Sequence, residues 1–244
     1  MPAFIGEIIG TFLLILLGNG VVANVLLKDT KGNNSGWIVI TIGWAMAVFV
    51  AVFVSADASG AHLNPAVTLG LALAGKFDWV LVPGYIVAQM IGAILGATAV
   101  WLTYQNHYEV EPDADSIRAT FCNTPAIRST FNNILTEVIG TFVLVFAVLY
   151  ITGPEFGGTP GKLGALDALP VAFVVLGVGL SLGGPTGYAI NPARDLGPRI
   201  AHALLPIRNK GGNDWGYSWI PVVGPSIGGL LAAGIWLVLE SGGL

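Results

Sequence analysis

The sequence predicts an all-α membrane protein with six transmembrane helices and two re-entrant half-helices, arranged as an inverted repeat. Three observations predict it. Charged residues make up 10% of the chain and hydrophobic residues 54%, whereas a soluble domain is about one quarter charged. The apolar residues fall in long runs, and about 20 of them suffice for a helix to cross a bilayer core. The triplet Asn-Pro-Ala also occurs twice, at 64–66 and 191–193, each time opening an apolar stretch too short to span.

Six runs reach spanning length: 4–27, 37–56, 80–104, 131–152, 164–182 and 219–240. The first starts at Met1-Pro2-Ala3-Phe4 with no basic segment before it and no small-residue cleavage site after it, so it reads as a retained span, not a signal peptide. The chain holds 34 glycines. In lipid, small residues let helix backbones approach closely, so the pairs Gly6/Gly10, Gly92/Gly96, Gly179/Gly183 and Gly224/Gly228 read as packing faces. Between the spans lie the two short stretches, Leu63 to Ala74 and Ile190 to Leu205. Asparagine is a strong N-cap and proline suits the first helical turn, so Asn64-Pro65-Ala66 and Asn191-Pro192-Ala193 each start a short helix. At membrane depth such a half-span is tolerated only when buried in protein or lining water.

The polar segment 105–130, with Glu109, Glu111, Asp113, Asp115, Arg118 and Arg128, joins two similar halves. Glu7-Ile-Ile-Gly-Thr-Phe12 corresponds to Glu137-Val-Ile-Gly-Thr-Phe142, and Gly60-Ala-His-Leu-Asn-Pro-Ala66 to Gly187-Tyr-Ala-Ile-Asn-Pro-Ala193. One domain, 1–244, therefore holds repeat one (1–104), the linker and repeat two (131–244). Three spans per half is an odd number, so the second half enters the membrane from the opposite face. Both half-helices then bring the positive ends of their dipoles, roughly half an elementary charge each, to the midplane. Asn64 and Asn191 would cap those ends and offer amide donors to a passing oxygen, orienting a water so that a proton-conducting chain breaks, while the positive potential repels cations.

Other readings are weaker. A net charge of −4 leaves no basic patch for nucleic acid. The single Cys122 cannot form an intrachain disulfide. No metal cluster or nucleophile–base pair stands out, which disfavours an intramembrane enzyme and leaves no cofactor to assign. A secondary transporter shares inverted repeats and broken helices, but these half-helices carry amides rather than a carboxylate cluster. An ion channel conflicts with the dipole ends and with Arg194. Glu7 and Glu137 are carboxylates inside spans, which usually signals function; their matched positions favour a structural role, accepting N–H groups of a re-entrant loop. His62 reads as pore-lining rather than as a proton relay, and Asp57 has no evident role.

The two triplets in this context resemble the major intrinsic protein (aquaporin) family. The stretches 60–66 and 191–199, with Asp195, Arg199 and the Pro221-Val222 pair, are similar to its bacterial glycerol-facilitator branch. The resemblance implies a passive channel for glycerol and similar small neutral solutes and for water, excluding protons and ions. It implies a filter at Trp44, Gly179, Tyr188 and Arg194, with Trp44 and Tyr188 against a polyol's carbons, Arg194 donating to its hydroxyls and Gly179 leaving room. It also implies an acceptor ladder of the carbonyls of Gly60, Ala61, His62 and Leu63 and of Gly187, Tyr188, Ala189 and Ile190. Tyr188 stands where glycerol facilitators commonly carry phenylalanine, which widens the expectation to dihydroxyacetone and small protonated acids. A homotetramer in a bacterial cell membrane, with cytoplasmic termini, follows from the resemblance alone. The basic residues oppose that orientation: the inner loops would hold Lys76 and Lys162, the outer ones Lys28, Lys31, Arg118, Arg128, Arg208 and Lys210.

Overall fold

The computed structural model describes residues 1–241. It contains α1 (Ala3–Leu26), α2 (Trp37–Ser59), α3 (Pro65–Leu73), α4 (Val82–Thr103), α5 (Gln105–Val110), α6 (Ala114–Ala119), α7 (Thr130–Tyr150), α8 (Leu169–Leu182), α9 (Pro192–Leu204) and α10 (Ile220–Glu240). Six segments are long and apolar enough to cross a membrane: α1, α2, α7 and α10, α4 with a preceding 3-10 turn at Trp79–Leu81, and α8 with one at Gly164–Ala168. Their outward faces carry large apolar side chains such as Phe4, Ile38, Val87, Phe131, Phe173 and Leu231, as a lipid-facing surface requires.

The repeat is visible in the packing. α1 lies against α4, and α7 against α10. A Cβ added at Gly92 of α4 would meet the carbonyl oxygen of Ile8 at 2.4 Å and Thr11 Cβ at 2.9 Å; one at Gly228 of α10 would meet the carbonyl oxygen of Val138 at 2.3 Å and Thr141 Cβ at 3.0 Å. The two glycines thus admit equivalent backbones of the two repeats. The half-helices exchange partners: α3 of repeat one packs on α10 of repeat two, and α9 packs on α4. Gly70 of α3 fits against Val145 and the Gly229 carbonyl, and Gly197 of α9 against Ala93. Each half-helix is therefore held by the opposite repeat. α1 begins on the face where α2 ends, Gly6 lying beside Ala58 and Ser59; we call this the proximal face and the opposite one distal.

Three features depart from the sequence reading. The segment 151–163 holds a two-residue antiparallel hairpin, β1 (Glu155–Phe156) with β2 (Thr159–Pro160), turned by Gly157 and Gly158 at positive φ. The linker contains α5 and α6, the latter capped by the Asp113 carboxylate on the N–H groups of Asp115 and Ser116. Gly179 and Gly183 face α2, as a packing pair would, but they also admit a ring from the following loop. An added Cβ at Gly179 would meet Tyr188 Cζ at 2.9 Å and Thr41 Cγ2 of α2 at 3.0 Å, and one at Gly183 would meet Tyr188 and Trp37 of α2.

Candidate functional site

The half-helices meet at the two asparagines. Asn64 Oδ1 caps its own helix by accepting from the Ala66 N–H at 2.9 Å, while its Nδ2 donates across the junction to the Ile190 carbonyl at 2.7 Å. Asn191 Oδ1 accepts from the N–H groups of Ala193 and Arg194, and its Nδ2 donates to the Leu63 carbonyl at 2.9 Å. Each carboxamide is fixed at both ends. One of the two N–H bonds on each Nδ2 is committed to a carbonyl, which leaves the other for the lumen. The caps expected from the sequence are present, and half of the amides' donor capacity also ties the repeats together.

The preceding segments adopt a backbone few residues tolerate. Gly60, Ala61 and Leu63 have φ of +79°, +51° and +52°, and the equivalent Gly187, Tyr188 and Ile190 have +76°, +40° and +43°. For a β-branched residue such as Ile190 this is a genuine outlier, and each such residue costs about 1–3 kcal/mol unless its surroundings hold it. Buried carboxylates supply the hold. Glu7 accepts from Ser59 Oγ, the N–H groups of His62 and Leu63, and Gln89 Nε2, at 2.7–3.0 Å. Glu137 accepts from the N–H groups of Ala189 at 3.0 Å and Ile190 at 2.8 Å. With their N–H groups turned to carboxylates, the loops face a central cavity of about 240 Å³.

That cavity is lined by Gly60, Ala61, His62, Leu63 and Asn64, by Tyr188, Ala189, Ile190, Asn191 and Arg194, and by apolar side chains including Leu14, Trp44, Val48, Leu144 and Val175. Two expected positions are not part of its wall. Gly187 lies under the side chain of Asn123, and Gly179 lies under the ring of Tyr188, whose Cζ would be 2.9 Å from an added Cβ. The room at Gly179 is thus filled by Tyr188 rather than open. The Arg194 guanidinium carbon lies 4.3 Å from the centre of the Trp44 ring, a cation–π distance. Arg194 and Tyr188 line the cavity, and Arg194 Nη1 and Tyr188 Oη are buried with no partner among the described residues.

Asp195 and Arg199 lie behind the pore, fully buried. Arg199 donates through Nε and Nη2 to Asp195 Oδ1, through Nη1 to the carbonyls of Asn213 and Asp214, and through Nη2 to that of Asn123. Asp195 Oδ2 accepts from the Asn123 N–H at 2.7 Å. The pair bolts two distal loops to α9. Asn123, missed in the sequence, also donates to the Thr186 carbonyl at 2.8 Å, and no sequence signal marks it. Beside it Cys122 is buried, which pushes its thiol up to about 12. Pro221 and Val222 sit in the first turn of α10, away from the cavity. His62 packs on Phe77 and Tyr85, with Nδ1 3.2 Å from Thr68 Oγ1. Asp57 pairs with Lys162 of the hairpin segment at 2.6 Å, both exposed.

Half-helices interlocked between two inverted repeats around one lumen define a membrane pore protein. The chain belongs to the major intrinsic protein family, whose description matches residues 1–236. It is 54% identical over 236 residues to a probable glycerol uptake facilitator protein of Thermotoga maritima, covering 97% of this chain and 98% of that one. It is 56% identical over 232 residues to the glycerol uptake facilitator protein of Streptococcus pneumoniae, covering 95% and 97%. The crystal structure of the aquaglyceroporin from Plasmodium falciparum superposes with a TM-score of 0.82 at 32% identity, covering 96% and 94% of the two chains. The protein is an integral membrane protein of a channel family.

Proposed function

We propose that the protein is a passive channel for glycerol and similar small neutral solutes and for water, with no catalytic activity. The observation that carries this reading is the composition of the cavity wall. Apolar side chains (Leu14, Trp44, Val48, Leu144, Val175) share it with backbone carbonyls, two asparagine amides and a guanidinium. A polyol has the same division, with carbon on one side and hydroxyls on the other. Trp44, Tyr188 and Arg194 form the constriction, and Asn64 with Asn191 form the junction that interrupts a proton-conducting water chain. Two curated relatives named as glycerol facilitators support the choice of solute. The same family reading makes the protein a homotetramer with cytoplasmic termini.

Stopped-flow light scattering of proteoliposomes tests this directly. Glycerol and water permeability are expected to rise well above protein-free vesicles, without proton conductance. Uphill accumulation of glycerol on an ion gradient would instead establish a transporter. A second solute class is favoured by the unpartnered Tyr188 Oη, which can donate to a carbonyl. Dihydroxyacetone and small protonated acids are expected to pass, and a Tyr188→Phe variant should lower their permeability relative to glycerol.

A further inference from the structure

Trp37, the first residue of α2, connects to the constriction although nothing in its local sequence points there. Its indole Nε1 donates to the carbonyl of Gly179 at 3.1 Å, a contact between residues 142 apart in the chain. Gly179 stands in the last turn of α8, where carbonyls have no intrahelical partner. The indole thus caps the helix end that floors Tyr188. The Trp37 ring also meets the Tyr188 ring edge-on, with centroids 5.8 Å apart and planes at 82°. Gly183 explains how both fit: a Cβ there would lie 2.4 Å from Tyr188 Cδ1 and 2.8 Å from Trp37 Cζ2. Two aromatic rings occupy the space that a missing side chain leaves.

Tyr188 depends on that cage. Its φ of +40° is a conformation L-residues rarely hold, its hydroxyl has no partner among the described residues, and its ring rests on Gly179, Gly183 and Trp37. We propose that Trp37 is a positioning residue of the constriction, clamping the Tyr188 ring over Gly179 and so setting the free width between Tyr188 and the Trp44–Arg194 wall. This rests on the solute-channel reading above. It competes with a plain role for Trp37, 39% exposed at a span end, as an interfacial anchor of the kind common in membrane proteins.

An anchor alters insertion or yield, whereas a clamp alters discrimination per channel. The test is therefore the ratio of erythritol to glycerol permeability in proteoliposomes, measured for wild type, Trp37→Phe, Trp37→Ala, Tyr188→Ala and the Trp37→Ala/Tyr188→Ala double variant. The outward half of Trp37 is exposed, so its variants are expected to fold. Trp37→Ala lets the Tyr188 ring swing into the vacated space, and the ratio should rise by about threefold or more, as expected for side chains in direct contact. Trp37→Phe keeps a ring edge but loses the N–H, and should fall between wild type and Trp37→Ala. In the Tyr188→Ala background, Trp37→Ala should change nothing further. A wild-type ratio in Trp37→Ala, or an equal rise with and without Tyr188, overturns the clamp while leaving the channel reading intact. Wild-type vesicles that pass no glycerol would overturn the channel reading instead.

Discussion

Removing the Glu137 carboxylate should collapse the distal loop and with it the constriction. The side chain is almost fully buried and accepts from the Ala189 and Ile190 N–H groups. Hydrogen bonds to charged groups contribute about 1.5–3 kcal/mol each, so the two together contribute about 3–6 kcal/mol. Against them stands the strain at Tyr188 and Ile190, both at positive φ, at about 1–3 kcal/mol each. The hold and the strain are of similar size, so Glu137→Ala leaves the loop in its native shape only a minor part of the time. A shift of about 1.4 kcal/mol already depletes a state roughly tenfold. Per-channel glycerol permeability by stopped-flow scattering should therefore drop by about that factor or more, together with a lower unfolding temperature in detergent. Glu137→Gln keeps one acceptor but turns an N–H₂ group toward the second backbone N–H, and should fall between the two. Wild-type permeability and wild-type unfolding temperature in Glu137→Ala would refute the idea that this carboxylate holds the loop.

Three further outcomes follow from packing and charge. Gly179→Ala places a Cβ 2.9 Å from Tyr188 Cζ and 3.0 Å from Thr41 Cγ2; the ring must move toward the lumen, so glycerol permeability should fall more than water permeability in the same vesicles. Arg199→Met leaves the Asp195 carboxylate buried without its cation, a change that typically costs about 3–5 kcal/mol, to be read as a lower unfolding temperature and reduced recovery of folded protein. The Cys122 thiol, buried and pushed up to about 12, stays protonated at neutral pH and should resist maleimide labelling until the protein is unfolded; rapid labelling of native protein would contradict its burial.

What could be read from the sequence followed from how local each signal is. An Asn-Pro-Ala triplet contains its own helix start, cap and first-turn proline, so both half-helices were legible from three residues each. The spans were legible because bilayer thickness dictates their length, and α2 differs only in running on to Ser59. The hairpin at 155–160 carried a readable signal, since Gly157-Gly158 suits a two-residue turn with positive φ at both centres, but the all-α expectation overrode it. Gly179 and Gly183 have the spacing of a helix-packing pair. Only the tertiary structure shows that, besides α2, they receive a side chain from a loop. Trp37 and Asn123 were illegible for the same reason: each acts on residues more than 60 positions away, and neither stands in a motif.

The two repeats share a backbone but diverge in the side chains they bring to the cavity. Aligned on their asparagines, Ala61 is the counterpart of Tyr188, His62 of Ala189 and Val67 of Arg194. The backbone is duplicated, with left-handed conformations at 60, 61 and 63 and again at 187, 188 and 190, so the difference lies in the side chains. On the proximal side Ala61 is small and Val67 uncharged, and His62 is packed against Phe77 and Tyr85 with its Nδ1 near Thr68. On the distal side Tyr188 and Arg194 line the cavity, each with a buried polar atom that has no partner among the described residues. The supports differ beyond that. Both carboxylates accept two backbone N–H groups of their loop and have a hydroxyl beside them, Ser59 at Glu7 and Thr186 at Glu137; Gln89 completes the set at Glu7, whereas the distal loop takes its remaining order from Asn123, the Asp195–Arg199 pair and Trp37. A strained loop that must also present a large ring needs support from outside its own repeat, and the distal elements that have no counterpart in the triplet symmetry are the ones that provide it.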